Sequence, residues 1–463
     1  MANFFKENTK KPVTTTEKKS LTVNVERLDV NGCGVAYHKK KPIFVNGSLP
    51  NENVVVQLIE QKNKYARAKL LTINKASEKR VSAKCQHFSL CGGCDIQHLE
   101  YAEQIVFKQS KVLELFSRSG IATSVIEQLP WQNPITSSPW NYRRKARIGV
   151  QFNKNSQAII GFRQKATNQL IGVKSCPVLV EPAENLFPLL QTLINQLSVK
   201  KAIGHIEVIY ADNNKALNTL TLIVRQLRAI NQHDRNLWQA FASENHCEVF
   251  FQEEALNKQP LKNTQKAALN NDLCYHIIDD IKINFAPSDF IQINEQVNSA
   301  MVEQALNWLS LNAQDQILDL FCGLGNFSLP IAKKVAHVVG VEGVQSMVNK
   351  ACENAAFNKI ENCSFFQADL NSEWLSAKTL NDWAKQRFTK VLLDPARSGA
   401  ELAIAQVIKL AIPTVLYVSC EPTTLARDSQ LLLAKGYTIE KIGLVDMFSQ
   451  TKHVETMVLF TKS

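Results

Sequence analysis

The sequence contains no uninterrupted apolar run of about 18 residues, roughly what a membrane-spanning helix needs. Its opening residues, Met-Ala-Asn-Phe-Phe-Lys-Glu-Asn, lack the apolar centre of a secretory signal. The expectation is a cytoplasmic protein with no membrane partner. A disulfide framework is missing too: the eleven cysteines are odd in number, and most stand singly in apolar segments of a 463-residue chain. Reduced thiols leave metal binding and catalysis as their uses. Acid is in deficit, with 42 Asp and Glu against 53 Lys and Arg and a net charge of +11, which favours a polyanionic partner and says nothing about fold. An apolar fraction of 45% is that of an ordinary globular protein, and the length allows two to four domains.

Residues 1–19 are rich in Lys and Thr with almost nothing to bury, and are expected to be a disordered basic tail. Over 20–80 the period becomes two. Leu21, Val23 and Val25 alternate with polar residues, Asp29 to Gly34 makes a tight turn, and Ile43, Val45, Val54, Val56 and Leu58 continue the pattern, so a small β-barrel is predicted. Lys39, Lys40, Lys41, Lys62, Lys64 and Arg67 surround Tyr37, Phe44 and Tyr65, a composition that suits phosphate contact and base stacking, or equally a solvated face. The stretch resembles a TRAM domain, an RNA-binding barrel related in shape to the OB fold.

Cys85, Cys91 and Cys94 follow, the last two separated by Gly92 and Gly93, and Cys176 is the nearest downstream thiol that could complete a set of four. Four thiolates suit zinc and an iron–sulfur cluster alike by donor type. The spacing is not the C-x3-C-x2-C of radical enzymes, so a cluster here is expected to be structural. Glu100 to Gly120 has apolar residues at helical spacing. Arg143, Arg144, Lys145 and Arg147 crowd a strand whose Ala146, Ile148 and Val150 alternate inward, and are expected on an RNA-facing side. Short strands then dominate to about residue 285, with one helical stretch near Glu184 to Leu197. From Phe285 buried strands alternate with helices, as in a doubly wound domain.

That last region has four polar predicted strand tips in register with one glycine turn. The first strand runs into Asp319-Leu-Phe321-Cys-Gly323-Leu-Gly325-Asn326, and the second ends on Glu342, placed to hold ribose hydroxyls. The third ends near Asp369, within reach of an adenine amine, and the fourth delivers Asp394-Pro-Ala-Arg397. The first turn lacks G-x-G-x-x-G, which favours an S-adenosylmethionine methyltransferase over a dinucleotide enzyme. The fourth tip lacks the Asp/Asn-Pro-Pro-Tyr suited to amino-nitrogen acceptors. The fifth strand, from Thr414, ends on Cys420, by itself no more than a core cysteine. With Glu455 at the head of the last strand it makes a different pair. Uracil C5 is a poor nucleophile until a thiolate adds at C6, after which a base must remove the C5 proton; that needs one cysteine and one carboxylate.

Together these residues resemble the RNA uracil-C5 methyltransferase family, over essentially the whole chain after the tail. The resemblance implies an α/β architecture: a Rossmann-like class I methyltransferase domain (99–134 plus 289–463), an N-terminal TRAM barrel, and a mixed α+β central domain (81–98 plus 135–288). It also implies a [4Fe-4S] cluster on Cys85, Cys91, Cys94 and Cys176. Phe290-Ile-Gln292-Ile-Asn294 matches the family's F-x-Q-x-N. The implied S-adenosylmethionine and target site contains Gln292, Phe321, Asn326, Glu342, Asp369 and Asp394, with Cys420 as nucleophile and Glu455 as base. Barrel and cluster together point to the members acting on position 1939 of 23S rRNA, on a uridine flipped from a structured loop, by a monomeric enzyme. A methyltransferase for another rRNA or tRNA uridine, and a non-catalytic iron–sulfur RNA-binding protein, remain alternatives. One departure is visible: the family's usual Ser-Cys-Asn-Pro is here Ser419-Cys420-Glu421-Pro422, and Glu421 is expected to point away from the thiol.

Overall fold

The computed structural model describes residues 20–213, 219–253, 273–375 and 382–462. The tail expected over 1–19 lies outside them. The chain divides into two compact units, Met1–Val81 and Ser82–Ser463.

In the first unit β1 (Ser20–Leu28), β2 (Gly34–His38), β3 (Lys41–Asn46), β4 (Asn53–Gln61) and β5 (Ala66–Lys75) close into a barrel in the order β1-β2-β3-β5-β4. Its interior is the alternating set Val23, Val25, Ala36, Ile43, Val45, Val54, Val56, Ala66 and Ala68, the small and β-branched residues a narrow barrel accepts. Glu52 is buried beneath it and accepts from Leu49 N (2.8 Å) and from Arg80 Nε (2.5 Å). Outside, Phe44 meets Tyr65 edge to face at 6.0 Å, and the Arg67 guanidinium lies 5.9 Å from the Tyr65 ring centre.

The second unit holds two sheets. The first comprises β6 (Lys145–Phe152), β7 (Ala158–Arg163), β8 (Leu170–Gly172), β9 (Ile203–Asn213), β10 (Thr219–Gln226) and β11 (Cys247–Glu253), in the order β11-β10-β9-β6-β7-β8, with β12 (Leu273–His276) and β13 (Lys282–Phe285) joined through β9. All these pairs are antiparallel except β10 with β11. Helices α1 (Tyr101–Arg118) and α2 (Thr123–Glu127) precede this sheet; α3 (Glu181–Glu184), α4 (Leu186–Gln196) and α5 (Gln232–Glu244) lie within its sequence. The pattern had predicted a single helical stretch here. The additional α5 is a largely polar helix that buries only Asp234, Trp238 and Phe241, too sparse an apolar stripe to stand out.

The basic strand also corrects an expectation. Arg144 shares the inward parity of Ala146, Ile148 and Val150 and is 2% exposed. Its Nε donates to the Gln292 carbonyl (2.9 Å), and its guanidinium lies 4.5 Å from the Tyr275 ring centre. Lys145 Nζ donates to the carbonyls of Pro287 (2.6 Å) and Asp289 (2.7 Å), and Arg147 pairs with Glu207 at 2.6 Å. Arg143 Nε donates to the Lys145 carbonyl at 3.1 Å, so all four cations expected on RNA have partners within the protein, and Arg147 is the one left exposed.

The second sheet runs β16-β15-β14-β17-β18-β20-β19, from β14 (Gln316–Leu320), β15 (His337–Glu342), β16 (Cys363–Gln367), β17 (Lys390–Leu393), β18 (Thr414–Ser419), β19 (Thr438–Val445) and β20 (Glu455–Thr461). The first five in that order are parallel; β20 enters antiparallel between β18 and β19. The helices α6 (Glu295–Leu309), α7 (Ser328–Ala332), α8 (Gln345–Phe357), α9 (Glu401–Lys409) and α10 (Pro422–Leu433) cover it. Central strands are apolar through their interiors because both faces are buried, with Asp319 of β14 the exception. Ile317, Leu392, Leu416, Val418 and Leu459 join a core with α6, while Leu318, Val391, Leu393, Tyr417 and Phe460 join another with Val112 and Phe116 of α1 and Leu425 of α10. Helix α1 thus packs on the second sheet, although nearly two hundred residues of sequence separate them. Among the described residues, no helix is long and apolar enough to cross a membrane.

Candidate active site

The carboxyl ends of the parallel strands carry the polar residues. After β14 the chain turns sharply: Phe321 has φ 64°, Gly323 55° and Gly325 91°. A left-handed phenylalanine is strained; the N–H of Phe321 is held by the Val341 carbonyl at 2.8 Å. Glu342 closes the same turn from β15, accepting from Gly323 N (3.2 Å) and Val344 N (3.1 Å). Beneath it Asp319 is buried; one carboxyl oxygen accepts from Ser328 Oγ and the other has no hydrogen-bond partner. Burial, with smaller contributions from Asp394 and Glu342, pushes Asp319 up to about 7.

The remaining cofactor candidates fall into three situations. The Asn326 amide is used within the protein, paired both ways with Asn298 at 3.0 Å and accepting from Tyr275 Oη at 3.2 Å. Gln292 is buried between the exposed Phe290 and Asn294, which caps α6 by accepting from Val297 N. Asp369 stands apart, exposed beyond β16, its carboxylate accepting from Asn371 N at 3.0 Å in a turn. That turn, rather than a helix N-cap, is its local structural role.

Cys420, Glu455 and Asp394 come together. The antiparallel register pairs Ser419 with Thr456, so one step further on Cys420 meets Glu455. Asp394 follows β17 directly, and its N–H donates to the Leu320 carbonyl at 3.3 Å. Glu455 is 3% exposed, and its Oε2 lacks a hydrogen-bond partner. Burial raises both carboxyls well above the ordinary range, and Asp394 raises Glu455 further. The Cys420 thiol is pushed up to about 11, first by burial, then by Glu455 and Asp394, against which Arg397 acts. Arg397, quoted in the sequence only as part of Asp394-Pro-Ala-Arg397, is the charged neighbour of the thiol that motif reading left without a role. Glu421 caps α10, accepting from Thr423 N at 3.3 Å, so its charge is turned to the helix start as expected.

The four cysteines of the predicted cluster lie in one region. Cys91 bridges to Gln164, and Gly92 N donates to the Arg163 carbonyl at 2.9 Å. A Cβ on Gly92 would stand 3.0 Å from that oxygen, so only glycine fits without displacement. Gly93 N donates to the Cys91 sulfur at 3.4 Å, and Cys85 N donates to the Gln97 side-chain oxygen at 3.1 Å. Burial pushes Cys94 up to about 12 and Cys176 up to about 11, and neighbouring thiols of the set add to both. Among the described residues, no three His, Cys, Asp or Glu side chains group closely enough to hold one metal ion.

The tRNA (Uracil-5-)-methyltransferase family model matches residues 128–463, and the TRAM domain model matches residues 15–71. The 23S rRNA (uracil(1939)-C(5))-methyltransferase RlmD of Colwellia psychrerythraea is 55% identical over all of this chain and 99% of its own length. Proteins of the same name from Aliivibrio salmonicida and Vibrio cholerae are 44% and 42% identical, each over the full length of both chains. Among solved structures, the Pyrococcus abyssi tRNA (uracil-54, C5)-methyltransferase in complex with S-adenosyl-L-homocysteine superposes with a TM-score of 0.71 over 95% of this chain and 100% of that one. At 20% identity that likeness speaks for the fold.

Proposed function

Because this chain belongs to the tRNA (uracil-5-)-methyltransferase family, we propose that it methylates C5 of uridine 1939 in 23S rRNA, with Cys420 as covalent nucleophile and Glu455 as base. The observation that carries this reading is the meeting of Cys420 and Glu455 on adjacent strand tips, with Asp394 beside them. The choice of nucleotide rests on the full-length relatives named for it. The TRAM match supports an RNA substrate, and a monomer acting on a uridine flipped from a structured loop is part of the same reading.

S-adenosylmethionine supplies the methyl group. The glycine turn, Glu342 and Asp394 are the residues that would hold it, and the turn's open backbone together with an acid at the second strand tip fits a nucleoside. Asp369 and Gln292 would bound the site; Asn326 would shape it through its amide pair with Asn298. Cys420 gives its electron pair to uracil C6, turning C5 into a nucleophile that takes the methyl. Glu455 then accepts the C5 proton, the C–H electrons restore the C5–C6 double bond, and the C6–S bond breaks to return the Cys420 thiolate. A carboxylate lifted above its ordinary range is a better proton acceptor near neutrality.

We also propose a [4Fe-4S] cluster on Cys85, Cys91, Cys94 and Cys176. The Gly93 N–H on the Cys91 sulfur suits a thiolate that carries charge. Four thiolates suit zinc and an iron–sulfur cluster alike by donor type, and the choice of the cluster rests on the resemblance to the family.

The test is incubation with S-adenosylmethionine and an rRNA fragment carrying 5-fluorouridine at position 1939, followed by a denaturing gel. A slow-migrating adduct that disappears in Cys420→Ala is expected; no adduct with the intact protein overturns the reading.

A further inference from the structure

The connection from β19 to β20, residues 446–454, leads directly into Glu455 and is almost wholly buried: Asp446, Ser449, Gln450 and Thr451 are 0–5% exposed. Loops normally run over the surface because buried backbone must find partners. This one finds them on the segment that carries the second and third cysteines and continues into α1. Asp95, the residue after Cys94, donates its N–H to the Gln450 carbonyl (3.0 Å) and accepts from Lys452 N through its carboxylate (3.1 Å). Ile96 N donates to the same carbonyl at 3.2 Å. Gln104, 1% exposed in α1, reciprocates with Gln450: its Nε2 donates to Gln450 Oε1 (3.0 Å) and its Oε1 accepts from Gln450 N (3.2 Å). Gln450 itself has φ 67°, a left-handed backbone that a non-glycine residue keeps only when its surroundings hold it.

We propose that Asp95 and Gln104 are positioning residues for Glu455, acting through this connection, and that the cysteine quartet and the base thereby form one mechanical unit. The inference rests on the role assigned to Glu455 above. Proton transfer needs the base within hydrogen-bond reach of the C5 proton, and small misplacements are expensive in rate. Thiolate addition by Cys420 from β18 does not depend on the connection. Loosening it therefore slows the step after methyl transfer and spares the steps before it.

Asp95→Ala and Gln104→Ala are compared with the intact cluster-bearing protein, with iron and sulfide per chain measured alongside. On 5-fluorouridine RNA, where no proton can be removed, both variants form adduct at a rate within about two-fold of the parent. On natural uridine their turnover falls by about ten-fold or more, and covalent RNA–protein complex accumulates. Asp95→Asn, which keeps an oxygen toward Lys452 N, retains turnover. Gln104→Ala substitutes no residue of the cysteine loop and carries the test if Asp95→Ala fails to fold; because Gln104 Nε2 also donates to the Ile96 (3.2 Å) and Leu99 (2.9 Å) carbonyls, the iron and sulfide content shows whether that loop is disturbed. Adduct formation and turnover falling together, or neither falling, overturns the proposal. Failure of the parent to form adduct would instead overturn the assignment of function.

Discussion

Cys420 and Glu455 face each other one register step beyond Ser419 and Thr456, the last paired residues of β18 and β20 in that direction. The antiparallel entry of β20 makes this meeting: its first residue arrives where the parallel strands end. Any residue one position away on β20 would point to the opposite face, so the ladder itself fixes which carboxylate meets the thiol.

Replacing Glu455 with Gln separates the two halves of the reaction. Addition and methyl transfer proceed, but the C5 proton has no acceptor, so turnover on natural uridine should fall by about 10²–10⁴-fold. Denaturing gels should then show a persistent RNA–protein band with unmodified RNA, which the parent enzyme resolves. Equal loss of the band and of turnover would exclude Glu455 as the base.

Thiol reactivity is a second check. With Cys420 pushed from 9.0 up to about 11, its alkylation by iodoacetamide at pH 8 should run about 100-fold slower than for an unperturbed thiol. The rate should rise with pH until well above 9. Arg397 opposes the upward push, so Arg397→Gln should move the midpoint higher still. A midpoint that stays put or falls in that variant would show that Arg397 does not act on the thiol.

Much of this site was legible as strand tips. A run such as Val415 to Val418 is apolar at every position only in a strand covered on both faces, and Cys420, two residues on, is then at the sheet edge. What the pattern could not carry is the partner strand. That β20 lies antiparallel beside β18 depends on pairing across forty residues, and one-dimensional periodicity contains no register. Arg144 fails for a related reason. Its parity marks it as inward, but its charge argued for solvent, and only the Gln292 carbonyl, Glu295 and the Tyr275 ring explain how a buried guanidinium is accommodated. Asn326 was read from its motif as a cofactor contact, and its mutual amide pair with Asn298 was invisible because Asn298 lies on α6, in a separate stretch of sequence.

The contact of α1 with the second sheet predicts a stability effect. Lys108 is buried, and its Nζ bonds Asp446 Oδ1 (2.5 Å) and the Phe448 carbonyl (3.0 Å), while Tyr101 and Ser449 donate to the other Asp446 oxygen. Removing one member of a buried pair strands the other charge, which costs about 3–5 kcal/mol. Lys108→Met should lower the urea midpoint accordingly, and adding Asp446→Asn should recover part of the loss. If the double variant is less stable than the single by a full second increment, the pair is not coupled.

Glu455→Gln should also stabilise the fold, in a way that depends on pH. The folded state raises this carboxyl above its ordinary 4.5 through burial and the neighbouring Asp394, so between those values the folded chain holds a proton that the unfolded chain releases. The contribution of Glu455 to stability is then fully present below about 4.5 and is lost as pH rises through the raised value. Glutamine does not titrate, and it relieves Asp394 of a neighbouring charge. The variant should match the parent near pH 4 and exceed it by about 1–3 kcal/mol above the window, the range for an unsatisfied buried polar group. Denaturant titrations at several pH values measure the difference. A gap that shrinks toward alkaline pH would mean that Glu455 is ionised at little cost, and would remove the physical reason for its strength as a base.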